Sequence, residues 1–567
     1  MLLSSIFFLL LSNSLSYRRD ITIFYSRIGI LILFYCIFLS YNNLFITYLD
    51  KGIGLFGGLF YVSSITQTFH ILIFIISLLI LNITGFYSIK LISNNYMSFY
   101  KLLFTKLYFL KKLAVSNIIL KKGEQYTILE YTLIILFIIM GSILLISSSD
   151  LVSIFLTIEL QSYGLYLICT IYRNSESSTS AGLTYFLLGG LASCFILLGI
   201  SLIYANLGIT YLDSFYIIKN LSNIVIEQEL KNINLHIISY IPYCLLLISI
   251  GFLFKISAAP FHFWSPDVYD GIPTIITTFV AIIAKISILI LILHIVHYTN
   301  NIYISTEYYW TISLLISSLL SLVIGTVLGL TQFRIKRLYA YSTISHLGFM
   351  LLAISINSVE SVQSFIFYLI QYSISNLNAF ILLIAIGYSL YFYNDKNINH
   401  NKLIDKNNSP IQFISQLKGY FHINSMLALS LTITLFSFAG IPPLIGFFAK
   451  QMIFSAALQE GFIFLTFIGV LTSVISAVYY LFIVKTMFFD LSSYKYYDKL
   501  QDIKLSALIL QKNKIINKIY YSKFVLSNSL TITISILTLI ILLFILIPNE
   551  LLYISSILTV VFFVPLF

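Results

Sequence analysis

The chain has 567 residues, 59% of them hydrophobic and only 9% charged, with a formal net charge of +11. A soluble domain carries about 25% charged residues, so the composition excludes that class and fits an integral membrane protein of many spans. Four cysteines, Cys36, Cys169, Cys194 and Cys244, lie singly in apolar runs with no CxxC pair, which argues for inert buried thiols and against an iron–sulfur or zinc site.

Fourteen apolar runs read as helices, over residues 1–16, 22–48, 66–87, 127–147, 150–172, 181–206, 236–262, 273–297, 309–331, 338–356, 361–392, 425–456, 462–487 and 528–547. The first reads as a retained span and not a signal peptide, because Arg18 and Arg19 follow the apolar stretch instead of preceding it. Pro548 ends the last run, and the tail 551–566 is either a surface segment or a fifteenth span. Loops after odd-numbered runs carry 24 of the 32 Lys and Arg, whereas loops after even-numbered runs carry three, Lys51, Lys219 and Lys231. Acids show no such bias, so the positive-inside rule makes the basic face the inner one. Two long loops on that face, 88–126 and 488–527, are rich in Lys, Asn and Tyr. They read either as surface facing lipid headgroups or as a docking platform for soluble partners. Abundant Ile, Phe, Tyr, Asn and Lys, which mostly have A/T-rich codons, point to an organelle genome.

Runs four to eight and nine to thirteen form two units of five. An odd number makes such a repeat inverted in the membrane. The expected division is an N-terminal part over 1–126, a first unit over 127–297, a second over 298–487 and a C-terminal part over 488–567. The fourth run of each unit is broken, at Pro260 in one and at Gly440-Ile441-Pro442-Pro443 in the other, with Lys255 and Lys450 close by. Paired breaks of this kind point to an ion pathway, and the opened backbone needs a wet, polar lining.

A lysine at the bilayer centre costs about 2.5–3.5 kcal/mol on insertion scales, so it usually faces an internal cavity and does work there. Lys255, late in its run, could snorkel to the interface; Lys285, mid-run, could not. Glu159 lies mid-run and is followed by Gln161, Ser162 and Tyr163, a polar stripe on which a carboxylate can pair with a lysine of another helix. His346 follows the basic turn Arg334-Ile335-Lys336-Arg337 and reads either as a packed histidine or as a neutral-pH proton relay. Lys485 and Glu130 lie near the basic face and read as interfacial. Asp267 and Asp270 read as turn residues, and His294 with His297 as interfacial histidines. No Gly-rich dinucleotide fingerprint or phosphate loop is found.

The segments IELQSYGLY, FKISAAPFHFWSPDVYDGIPT, AIIAKISIL, RLYAYSTISHLGFML and GIPPLIGFFAKQ resemble the antiporter-like subunits of the proton-pumping NADH:ubiquinone oxidoreductase, complex I. Within that family they look most like the mitochondrial subunit-2 branch of fungal type, over about residues 127–487. The resemblance implies an all-α polytopic protein of the membrane arm, in the mitochondrial inner membrane with its large basic loops in the matrix. It implies no cofactor on this chain, with FMN and iron–sulfur clusters in other subunits. Its partners would be other membrane-arm subunits, neighbouring antiporter-like ones among them, and phospholipids, not nucleic acid. Glu159 and Lys255 would match the family's ion pair, Lys285 its central relay lysine, Lys450 the lysine after the second break, and His346 the relay histidine. Pro260, His262, Pro442 and Pro443 would support the helix breaks. The chain departs from the family in one place: many relatives read AGLKYF where it has Thr184 in AGLTYF. Two other functions compete: an Mrp-type cation/proton antiporter subunit, which shares these motifs, and a structural anchor. The anchor is disfavoured by the cost of four intramembrane lysines, on the order of 10 kcal/mol.

Overall fold

A computed structural model describes residues 1–15, 22–50, 52–86, 89–91, 130–172, 175–215, 235–299, 309–390, 393–395, 411–491, 494–496 and 524–563. Most of the two long basic loops therefore lies outside the described residues. The described chain is nearly all helical. It opens with α1 (Leu2–Leu15), α2 (Thr22–Asn43), a small hairpin of β1 (Ile53–Leu55) and β2 (Phe60–Val62), α3 (Ser64–Gly85) and β3 (Ile89–Leu91). Next come α4 (Glu130–Ser147), α5 (Leu151–Thr170), α6 (Glu176–Leu207), α7 (Leu235–Ile256), α8 (Trp264–Gly271) and α9 (Thr274–Thr299). After them lie α10 (Tyr309–Leu330), α11 (Ile335–Ile356), α12 (Val359–Leu390), β4 (Tyr393–Asp395), α13 (Ser425–Ala439), α14 (Ile445–Gln459) and α15 (Ile463–Phe488). The described chain closes with β5 (Tyr494–Tyr496), β6 (Phe524–Leu526), α16 (Asn528–Leu543) and α17 (Pro548–Phe563). Eleven of these helices are long and apolar enough to cross a membrane.

Local chemistry sets several ends. Ser63 and Thr66 cap α3 reciprocally, the Asp150 carboxylate accepts from the amides of Val152 and Ser153 at the start of α5, and Asn424 caps α13. The first broken run ends earlier than its sequence implies: α7 stops at Ile256, not 262, and Ser257 turns left-handed with φ 62°. Pro260 has no N–H to continue the helix and disfavours helical backbone just before it. The stretch read as a polar turn after it is the short helix α8. Trp264 anchors α8 by donating Nε1–H to the Phe254 carbonyl at 2.9 Å and by stacking on Tyr185, ring centroids 4.6 Å apart. The second broken run divides differently, into α13 and α14 of 15 residues each, parted at Gly440, whose φ of 83° suits glycine.

Backbone contacts between loops sort by parity. Leu59 and Ser149 join the loops after the second and fourth runs, and Leu212 and Ser149 join those after the fourth and sixth. On the other side, Ile335 donates to Gln412, β3 pairs with β6 and β4 with β5, all between loops after odd-numbered runs, and Gly419 donates to Thr486 at the end of the thirteenth run. The alternation read from Lys and Arg is therefore also a spatial one.

At the centre stands α9, every residue of which is buried from Thr274 to Leu293. It packs against α3, α4, α5, α7, α11 and α12, which draw the two units together around it. Close approach of α10 and α11 depends on Gly325, where a Cβ would meet the Ser345 amide nitrogen at 2.8 Å. The tail resolves as α17, packed on α3 and α12, with Phe562 against His294 and His297 at 5.4 and 4.4 Å between ring centroids. Three cysteines are buried as expected, but Cys194 is exposed, because α6 presents that face outward.

Candidate functional site

The charged groups inside the bundle are placed by four helices and two breaks. Glu159, on α5, meets Lys255, in the last turn of α7, with Lys255 Nζ donating to Glu159 Oε1 at 2.8 Å. The side chains are 15% and 6% exposed, so Lys255 does not snorkel but is held inside by its partner. Ser193 of α6 also donates to Glu159 Oε1, so three helices converge on one carboxylate. Beside the pair is a cavity of about 20 Å³ lined by Lys255, Gln161, Ser162, Tyr166 and Ala284, large enough for about one water. Gln161 reaches across to α9, exchanging hydrogen bonds with Ser287 at 3.0 and 3.1 Å.

Lys285 sits near the middle of α9 and is 1% exposed. Its Nζ donates to Thr343 Oγ1 on α11 at 3.1 Å and lies 5.5 Å from the centroid of the Tyr269 ring. The ion pairs among the described residues do not include it. Three residues along α11 from Thr343, on the same helical face, is His346. Its Nδ1 lies 2.7 Å from the Tyr368 hydroxyl of α12, while its Nε2 has no partner among the described residues. Tyr372, one turn further on α12, donates to the Ala281 carbonyl at 2.9 Å and so ties α12 back to the helix of Lys285. His346 is the twelfth residue of the 22 in α11 and so lies near its middle.

Beyond His346, the second break holds Lys450. Its Nζ donates to the carbonyls of Phe438 and Ala439 at 2.9 Å each, the free acceptors that α13 leaves where it stops. Phe438 also packs its ring 5.3 Å from His346, so one residue touches both groups. Pro442 and Pro443 are exposed in the turn, and Gly440 leaves the room that the Lys450 stem occupies. His262 is buried in the first break but packs beside Phe263 and Tyr341, away from the Glu159–Lys255 cavity.

Glu159 and Lys255 thus meet directly, Lys285 meets the helix of His346 at Thr343, and His346 and Lys450 both touch Phe438. Residues 148–476 match the family model described as NADH:quinone oxidoreductase/Mrp antiporter, TM. The NADH-ubiquinone oxidoreductase chain 2 of the fungus Rhizopus oryzae is 44% identical over 97% of this chain and 98% of its own. The chain belongs to the antiporter-like membrane subunits of complex I, of the chain 2 type. Its fold is shared with a chain of respiratory complex I from Thermus thermophilus at 22% identity, TM-score 0.65 over 98% of this chain and 99% of that one. A chain of the Mrp complex from Dietzia sp. has the same fold at 16% identity, TM-score 0.67 over 97% and 95%.

Thr184 stands exposed on α6 with its hydroxyl bonded to the Ala181 carbonyl at 2.9 Å, and it carries no charge. Lys485 and Glu130 are exposed at helix ends, as read from sequence. Asp267 and Asp270 are more than turn residues. Asp270 pairs with Arg334 and, at 3.6 Å, with Arg337, which also binds Asp267. Between the arginines, Lys336 is 1% exposed and donates to the carbonyls of Asp270 and Ile272 at 3.3 and 2.6 Å. This cluster clamps the end of α8 to the start of α11 and so fixes the helix that carries Thr343 and His346. The only signal for it in the sequence is two acids in a break and three bases in a later turn. Asp270→Asn should lower stability by about 1–2 kcal/mol, less than for a fully buried pair because both guanidinium groups reach solvent. A lowered Tm of the assembled complex, with Asp267→Asn milder, is the expected outcome.

Proposed function

We propose that this chain is a proton-translocating membrane-arm subunit of respiratory NADH:ubiquinone oxidoreductase. The observation that carries the reading is Lys285: a lysine sealed in the central helix, with a hydroxyl for its partner and a histidine one turn beyond. Such a group can exchange a proton with waters and neighbours, whereas a structural cation would be paired with a carboxylate. Protons would pass among Glu159, Lys255, Lys285, His346 and Lys450 through side chains and water. α4–α9 and α10–α15 would act as inverted halves. The equal lengths of α6 and α12, 32 residues each, and of α9 and α15, 26 each, support that pairing.

NADH oxidation and quinone reduction would occur in other subunits carrying FMN and iron–sulfur clusters, and this chain would hold no redox centre. The shared fold with an Mrp subunit keeps a freestanding cation/proton antiporter as the second reading. Purification of the native complex decides between them: co-purification with NADH dehydrogenase activity supports the first, and a complex without it the second. The likeness to complex I chain 2 supports a site in the mitochondrial inner membrane, and on that reading the loop charge bias would put 88–126 and 488–527 in the matrix. Protease added to inner-membrane vesicles of known orientation should cut both loops from the matrix side alone; cleavage from the opposite side would refute the orientation.

A further inference from the structure

Two histidines, His70 and His294, lie inside the bundle but outside the site described above. Both stand in the half away from the basic loops, because α3 starts and α9 ends at loops that follow even-numbered runs. His70 is buried, and its Nε2–H donates to the Ile143 carbonyl of α4 at 3.1 Å. A carbonyl can only accept, so this bond fixes the tautomer and leaves Nδ1 as the nitrogen that can take up a proton. His294 has a buried Nε2 with no hydrogen-bond partner among the described residues, a place for water. His297 follows within a turn, with Phe562 across both rings. Tyr298, next in the chain, lies beside the exposed Asp213 of the loop after the sixth run.

Depth puts these groups in order. Gly141 of α4 lies against Gln161, whose backbone nitrogen a Cβ there would meet at 2.8 Å. Gln161 in turn holds Ser287 of α9 beside the Lys255 cavity. Ile143, the partner of His70, is two residues or about 3 Å further towards the outer side. His294 lies seven residues beyond Ser287, on the same face of α9 and about 10 Å further out. α3, α4 and α9 pack against one another, so His70 stands in depth between the Gln161–Ser287 bond and His294.

We propose that His70 and His294 form an outer leg of the proton route, leading from the Glu159–Lys255 side past His297 to Asp213 and the face opposite the basic loops. The inference rests on the proton-translocating reading above. Imidazole suits the task because it gains and releases a proton near neutral pH, which the glutamine and serine at the inner end of the leg cannot do. At His70 a proton taken from water at Nδ1 makes the imidazolium and leaves from the same nitrogen to the next water, while Nε2–H keeps its bond to Ile143. At His294 the exchange is at Nε2. Phe562, across the rings of His294 and His297, would keep bulk water from bypassing them. His70 lies outside the matched region 148–476, so this leg would draw on the N-terminal helices as well.

The test uses the assembled complex in proteoliposomes. His70→Gln keeps a donor for the Ile143 carbonyl, and His294→Phe keeps a ring against Phe562, but neither side chain exchanges protons. Each should lower the pumping rate on the order of 100-fold, as for removal of a proton-transfer group. The Tm of the complex and NADH oxidation by an artificial acceptor should stay as in wild type, and the residual pumping should slow further in D2O than wild type does. Wild-type pumping by whichever variant assembles overturns the proposal. So does a loss that follows a lowered Tm with an unchanged isotope effect, which would mark a packing role. Lys285→Ala, measured alongside, separates the two readings. If it stops pumping while the histidine variants pump, the outer leg falls and the proton-translocating reading stands; if it pumps as well, that reading fails too.

Discussion

Lys285→Arg should abolish proton pumping almost as fully as Lys285→Ala, although it keeps the positive charge. The guanidinium does not release its proton at any relevant pH, whereas a buried lysine can. Around Lys285 the contacts are a hydroxyl, an aromatic face and apolar side chains, and no carboxylate partner among the described ion pairs demands a permanent cation. A proton carrier is therefore chemically allowed there, and an obligatory structural cation is poorly provided for. The expected loss is on the order of 100-fold or more in pumping rate for both variants, the low end of the range for removing a proton-transfer group. Proteoliposomes bearing the complex give the rate, and native gels confirm assembly. An Arg variant pumping at the wild-type rate would remove Lys285 from the relay.

Glu159→Gln should lower NADH:quinone turnover and pumping together while leaving NADH oxidation by an artificial acceptor unchanged. The substitution keeps the size of the side chain and the hydrogen bond from Ser193, but it strands Lys255, which is 6% exposed, without a counter-charge. Breaking a buried pair from one side costs about 3–5 kcal/mol, and the partial exposure of Glu159 places this case at the low end. That energy is enough to shift the charge state of Lys255 and of the adjoining cavity, so an effect on coupling is expected even where the complex assembles. The artificial acceptor takes electrons before quinone. Its loss in a fully assembled complex would mean that this chain contributes to the electron-carrying part.

How much of this was legible in the sequence depends on range. Apolar runs of span length mark the helices directly, and Lys285 stands out because apolar residues flank it on both sides. Pro260 and the Gly440–Pro443 segment announce the breaks, since proline and glycine act on local backbone. What they do not announce is the form of each break. α8 is eight residues with the polar sequence WSPDVYDG and is held by Trp264 contacts to α6 and α7. Pairing of Asp270 with Arg334 joins residues far apart in the chain, and no local pattern encodes it. Thr343 likewise looks like one of several hydroxyls on α11 until α9 sets Lys285 against it. Exposure of Cys194 depends on which face of α6 is turned outward, and the weak amphipathicity of an apolar helix does not fix that.

The pairing of β3 with β6 has a consequence for biogenesis. Among the described residues Ile89–Leu91 pairs with Phe524–Leu526, and α3, besides its neighbours α2, α4, α9 and α12, packs against α16 and α17, the last helices described. Part of the surface of α3 therefore stays without its final neighbours until nearly the whole polypeptide has been translated. Chains that stop short of β6 would leave that seam open, which makes them natural substrates for membrane quality-control proteases.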